Sequence, residues 1–458
     1  MRDQPVTIPG PGNTRPRRWA AAVGLLLVAC VVAVTLAAAL LPTVWPAEAG
    51  LDSQARTGAA LAIFVASYLG LAIGKIPGLT IDRAGVALVG ACLMVASGAL
   101  PLEDAYKAVD LDTMTLLLGM MIVVANLRLS GFFALVTNRA MEHARRPLIL
   151  LCAVTAVSGL FSAFLVNDAI CLVLAPLVLD LTQRMGRKPA PYLLAVAMAS
   201  NVGSTATITG NPQNMMIGSF SRIPYARFAT ALGPVAVVGL GVSVLLIAWA
   251  YRAEFAGAAA LPAVRPRVRV NRALVARGLA ATAILILLFF VGQPPAKAAI
   301  VVGGLLLLTR RVKSERIYAE IDWSLLLMFA GLFIIVAGAQ HMLLTPERIA
   351  AVGRMHLDQI PVLSLVTAVL SNLVSNVPAV LMLRPFVQAL PDHDTAWLTI
   401  AMASTLAGNF TVLGSIANLI VVQKAASRGV VISFWDYFRV GAPLTLITLA
   451  VGVLWMGR

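Results

Sequence analysis

The run from Ser200 to Asn214 (SNVGSTATITGNPQN) sets Ser, Thr, Asn and Gln beside Gly203, Gly210 and Pro212, inside a long apolar region. Amides and hydroxyls at this density supply both donors and acceptors to a small polar solute or a desolvated ion. A second copy lies downstream. Ala401–Val421 (AMASTLAGNFTVLGSIANLIV) opens with the same Ala-Met-Ala-Ser as Ala197–Gly218, and Thr207/Thr411, Gly210/Gly414 and Asn214/Asn418 then coincide without a gap. Upstream of each copy a short polar triplet interrupts an apolar stretch, Val166-Asn167-Asp168 in one case and Ser375-Asn376-Val377 in the other.

These interruptions assign candidate roles. Regular helix cannot run through Gly210 and Pro212, and non-helical backbone at membrane depth is tolerated only beside protein or a watery cavity. Broken helices at matching places in two halves point to a transporter's binding site. Their ends offer unpaired N–H groups to anions, and unwound carbonyls to cations. Candidate substrate-binding residues are Asn167, Ser204, Thr205, Thr207, Asn211, Asn376, Asn409 and Thr411. Candidate coupling-ion residues are Asp168, Asn167, Gly210, Asn214, Ser375, Asn376, Gly414 and Asn418, and Ser415 belongs to the second site. Asp168 is the acidic residue expected deep in the membrane, where a carboxylate is costly and by default functional. The alternative for Asp168 is a partner for a nearby backbone or cationic group, and for Asn167 and Asn376 a structural turn. Arg384 reads either as an anion clamp or as a side chain snorkelling to the interface.

The elements that carry these residues follow from composition. The chain is 60% hydrophobic and 12% charged, against roughly 25% charged in soluble domains. Many of its apolar runs approach the ~20 residues that span a bilayer. The expected fold is an all-α polytopic membrane protein of about 11 transmembrane helices, built from two repeats. The net charge of +15 is explained by basic residues that orient the chain, so nucleic acid is not an expected partner. Cys30, Cys92, Cys152 and Cys171 read as core residues, and His143, His341, His356 and His393 fall in predicted loops. Neither set has the spacing of a metal site. No nucleophile–base constellation suggests an enzyme, and no cofactor is expected beyond Na+ or H+ as coupling ion.

In chain order, residues 1–18 form a basic cytoplasmic tail, and residues 19–111 carry N-terminal scaffold helices. The first of these, Trp19–Trp45, is too long for a signal-peptide core. Repeat 1 covers 112–250, with a re-entrant hairpin over Pro147–Leu181 and the broken span Ala190–Phe220. Residues 251–272 form a basic cytoplasmic linker, alternatively a contact for anionic lipid or a soluble partner. Further scaffold helices occupy 273–321. Repeat 2 covers 322–458, with a hairpin over Pro361–Leu390 and the broken span Trp397–Val422. Most of the 35 Lys and Arg residues fall on one side of this topology, which places the N-terminus in the cytoplasm. Asp112 then starts its repeat from outside and Asp322 from inside, so the repeats are inverted, an arrangement that supports alternating access.

The Gly210–Asn214 run and the Val166-Asn167-Asp168 tip ahead of Pro176 resemble the ion transporter superfamily, which includes arsenite efflux permeases, divalent anion/sodium symporters and citrate transporters. The resemblance covers roughly residues 55–456. It implies a homodimer in a bacterial-type cytoplasmic membrane, with an elevator-like movement. The dicarboxylate symporters carry Ser-Asn-Thr at both tips, and here only Asn167 and the Ser375-Asn376 pair match. The expected function is secondary transport of a small anion, arsenite-type oxyanion or carboxylate, driven by protons or sodium. A sodium/proton antiporter is the alternative. There is no ATP-binding loop, so ATP coupling would need a separate ATPase subunit.

Overall fold

The computed structural model describes residues 49–73, 81–143, 146–256, 270–308, 312–343 and 356–458. The basic tail, the Trp19–Trp45 helix, the Pro77-Gly78 turn, the basic core of the 251–272 linker, and Arg310 and Arg311 lie outside the described residues. Among the described residues there are twenty α-helices and two 3-10 turns. Six helices are long and apolar enough to cross a membrane, and six more are apolar but shorter.

The described residues fall into two compact units, the first within 49–109 and 327–343 and the second within 110–326 and 356–458. The first contains α1 (Ala49–Ile73), α2 (Arg83–Ala96) and α3 (Leu102–Ala108). Asp82 caps α2 by accepting from the Gly85 N–H at 2.8 Å.

In the second unit come α4 (Leu111–Ser130), α5 (Phe132–His143), α6 (Pro147–Phe164), α7 (Asn167–Arg184), α8 (Pro189–Ser204), α9 (Pro212–Ser221), α10 (Tyr225–Ala250) and α11 (Arg252–Phe255). After them follow α12 (Arg272–Phe290), α13 (Pro295–Leu307), α14 (Ser314–Tyr318) and α15 (Trp323–Leu343), the last shared with the first unit. The unit is completed by α16 (Ile360–Val374), α17 (Asn376–Val387), α18 (His393–Ala407), α19 (Ile416–Ala426) and α20 (Phe434–Met456). His341 lies inside α15 rather than in a loop, because no Gly or Pro follows Gly338 until Pro346. His143 and His393 close and open helices.

Proline starts many of these helices, at Pro147, Pro189, Pro212 and Pro295, where its missing N–H has no helical partner to lose. The α6–α7 pair turns at Leu165, which is extended, and Val166, with φ −51° and ψ 120°. The α16–α17 pair turns at Ser375 with φ 78°, a backbone region that side chains rarely enter and that often marks functional turns.

Each interrupted helix breaks in the same way. After α8, Thr207 is extended, Ile208–Gly210 makes one 3-10 turn, and Asn211 is extended and caps α9. After α18, Thr411, Val412–Gly414 and Ser415 repeat those conformations ahead of α19. Gly210 is dictated by space, since a Cβ there would sit 2.1 Å from the Ser204 carbonyl oxygen. Gly203 meets Gly159 just as closely, 2.2 Å from Cβ to carbonyl, so α6 and α8 touch backbone to backbone. Gly210→Ala is expected to lower unfolding stability by about 1–3 kcal/mol. Gly241→Ala, in open space on α10, should raise it by about 0.5–1 kcal/mol. Thermal unfolding of the purified protein in detergent checks the contrast.

Candidate functional site

Breaking a helix in an apolar setting frees carbonyls that need donors. Asn214 supplies them in the first copy, its Nδ2 donating to the Ser204 and Thr207 carbonyls at 3.1 and 3.0 Å. Asn418 does the same in the second copy, to Gly408 and Thr411 at 2.7 and 3.2 Å. The four carbonyls are equivalent positions of the two copies. Asn214 and Asn418 are fully buried.

With their amide groups so placed, the two asparagines present their oxygens to the opposite copy. Asn201 Nδ2 donates to Asn418 Oδ1 at 3.0 Å and to Asn409 Oδ1 at 2.9 Å. Asn201 Oδ1 accepts from Ser415 Oγ and from Asn167 Nδ2, both at 3.1 Å. Thr405 holds the matching place in the second copy. It accepts from Asn211 Nδ2 at 3.1 Å and Gln213 Nε2 at 3.3 Å, and donates to Asn214 Oδ1 at 3.4 Å. One buried network therefore ties α8 to α19 and α9 to α18, and no residue in it carries a positive charge.

The expected residues divide by what they touch. Asn167, Asn211, Asn214, Asn409, Ser415 and Asn418 are in the network, and Ser204 joins it through Asn211 Nδ2 at 3.0 Å. Thr207 bonds instead to the Ala163 carbonyl, fastening the break to the end of α6. Thr205 donates only to the carbonyl of Asn201 in its own helix, and Thr411 contributes its backbone. Gly210 and Gly414 shape the breaks. Ser375 sets the turn that presents Asn376, whose amide nitrogen lies 3.3 Å from the Cβ position of Gly408. Arg384 is outside the network, its guanidinium 4.1 Å from the centre of the Phe220 ring and so bridging α17 to α9.

Two amide oxygens at the tips have no protein partner, Asn167 Oδ1 and Asn376 Oδ1, and neither does that of Asn372. A buried acceptor without a donor is expensive unless a ligand or water meets it. Asp168, next to Asn167, is partly buried, and the Ala417 N–H in the first turn of α19 faces its carboxyl. It lines a cavity of about 80 Å³ with Arg128, Glu320 and Asp322. Arg128 and Glu320 form an ion pair. Asp168 is thus one of three carboxylates on this cavity rather than an isolated acid, because the segment before α15 folds against the end of α4.

Asn201, Thr405 and Gln213 were not among the expected residues. Asn201 and Thr405 follow the shared Ala-Met-Ala-Ser, but their differing side chains hide a common place at the centre of the site. Asn201→Ala, which removes four side-chain hydrogen bonds and leaves Asn418 Oδ1 and Asn167 Nδ2 without a partner, is expected to cost about 2–4 kcal/mol, against less than about 1 kcal/mol for Thr205→Val. Thermal unfolding of the two variants in detergent measures the difference.

The profile of the citrate transporter family matches residues 68–407. The silicon efflux transporter LSI3 of Oryza sativa subsp. japonica is 30% identical, the alignment covering 84% of this chain and 94% of that protein. The putative transporter arsB of Dictyostelium discoideum is 23% identical, covering 85% and 89%. In fold, the chain is similar to the crystal structure of the Alcanivorax borkumensis YdaH transporter, described as having an unusual topology. The TM-score is 0.55 at 16% identity, over 88% of this chain and 97% of that one.

Proposed function

The chain belongs to the citrate transporter family, and from that premise we propose a secondary active transporter that moves a small anion across the cytoplasmic membrane by alternating access. An arsenite-type oxyanion is favoured over a carboxylate, with protons or sodium as the driving ion. The observation that carries this reading is the single buried amide–hydroxyl network shared by the two interrupted helices, with Asp168 beside it. A network of Asn, Ser, Thr and Gln without Lys or Arg suits a weakly acidic, hydroxylated solute, which can both donate and accept hydrogen bonds. A carboxylate would meet no charged partner there. Two relatives bear names that point the same way, one a silicon efflux transporter and the other a putative arsB transporter.

Asp168 is the proposed coupling group. It is protonatable, it follows a tip residue, and its cavity also holds Asp322 and the Arg128–Glu320 ion pair, a net negative lining that attracts a cation. The two tips are read as re-entrant hairpins of inverted repeats, with the N-terminus in the cytoplasm.

One observation favours a second reading, a sodium/proton antiporter. The unpartnered atoms at the tips are amide oxygens, which are cation ligands as readily as hydrogen-bond acceptors.

Transport in proteoliposomes decides between them, using arsenite and then succinate or citrate under imposed proton or sodium gradients. Wild-type protein is expected to move arsenite in response to a proton gradient, and Asp168→Asn to lose that response. Sodium-driven carboxylate uptake that survives Asp168→Asn would overturn the arsenite reading. Sodium/proton exchange with no movement of either solute would establish the antiporter.

A further inference from the structure

Among the described residues of the second unit, the buried side-chain polar atoms without a protein partner are confined to a few helices and the two tips. Thr155 and Ser158 on α6 are unpartnered, and so are Ser364, Thr367 and Ser371 on α16. The two helices correspond at the 209-residue offset that also relates Asn167 to Asn376. Thr155 thus matches Ser364, Ser158 matches Thr367, and Ser162 matches Ser371. All six are at most 3% exposed. Only Ser162 has a side-chain partner, Ser200 on α8 at 2.7 Å.

Spacing at i, i+3 and i+7 puts each set on one helix face. The first and last hydroxyls of a set are about 10 Å apart along the axis. Each row ends at a tip whose asparagine oxygen is itself unpartnered. Ser and Thr inside apolar helices commonly donate back to a carbonyl one turn earlier, as Thr182 does to Val178 at 2.9 Å. The unpartnered hydroxyls do not, so they have donor and acceptor capacity to spare. Ser158 also faces Thr137 across a cavity of about 10 Å³, close to the space one water needs. On α18, which packs against α16, Thr399 is unpartnered as well.

We infer that these rows are two hydroxyl ladders, Thr155–Ser158–Ser162 and Ser364–Thr367–Ser371, each binding O–H-bearing ligands along a path to its tip asparagine. The ligands are either a file of water or the hydroxyls of the transported solute itself. Both present the donors that the amide oxygens at the tips lack. The ladders are separate from the cavity that reaches Asp168, which none of the six residues lines. Their opening to opposite membrane faces rests on the inverted arrangement proposed above. Their occupancy by a ligand does not.

The test exploits the sign of a stability change. Valine is isosteric with threonine, so Thr155→Val and Thr367→Val remove a hydroxyl without leaving a void. If a hydroxyl is dry and unpaired, removing it is neutral or raises the melting temperature. If it holds a ligand, removing it lowers the melting temperature. The full chain is melted in detergent at neutral pH, without solute and with saturating arsenite, which is undissociated arsenous acid there. Water in the ladders predicts that both variants melt below wild type under both conditions. Solute in the ladders predicts that the difference appears with arsenite. In either case arsenite transport by each variant should fall by up to about tenfold, the equivalent of one lost hydrogen bond. Variants that melt at or above wild type in both conditions and transport normally would overturn the proposal and leave the rows as dry packing seams. A wild-type protein that moves no arsenite would count against the proposed function, while the melting comparison without solute would still decide the question of water.

Discussion

Everything in the second unit depends on one constraint, that backbone polar groups freed by a helix break must find partners where water is excluded. Two asparagines at equivalent positions meet it by turning their amide groups onto the carbonyls that end the preceding half-helix. That choice fixes the direction of their oxygens, which must then be met from the other copy. The meeting of Asn418 with Asn201, and of Asn214 with Thr405, follows from it. The glycines serve the same end by letting the chain double back within contact distance of itself.

The architecture was largely legible because it is written twice. Gly210/Gly414, Asn214/Asn418 and Asn167/Asn376 recur with the same neighbours, and a helix-breaking Gly or Pro among apolar residues has few structural outcomes. The centre of the site was harder to see. Asn201 and Thr405 perform one task with different side chains, and each is completed by residues about two hundred positions away. Pairwise geometry of that kind leaves no periodic trace. Neither does the company of Asp168, since Glu320 and Asp322 read as ordinary polar residues ahead of an apolar run until the fold brings them to its cavity. Arg384 offered a charge in a plausible place, and only the position of Phe220 assigns it to a cation–aromatic contact.

The two copies are alike in backbone and unlike in chemistry. Asp168 has Val377 as its counterpart, and the relaxed tip at Val166 is matched by a left-handed Ser375. The backbone repeats and the titratable group does not, so the acidic side chain at the tip belongs to one half alone.

The backbone contact between Gly159 and Gly203 has a mechanical consequence. Without side chains between them, α6 and α8 have no lubricating layer on which to slide, and Thr207 pins the break to the end of α6. The network then ties this assembly to α18 and α19 through buried hydrogen bonds. The tips and breaks therefore form a single stiff cartridge. Any motion that leaves these contacts intact carries the tips and breaks as one body, and the change is taken up in the connections around it.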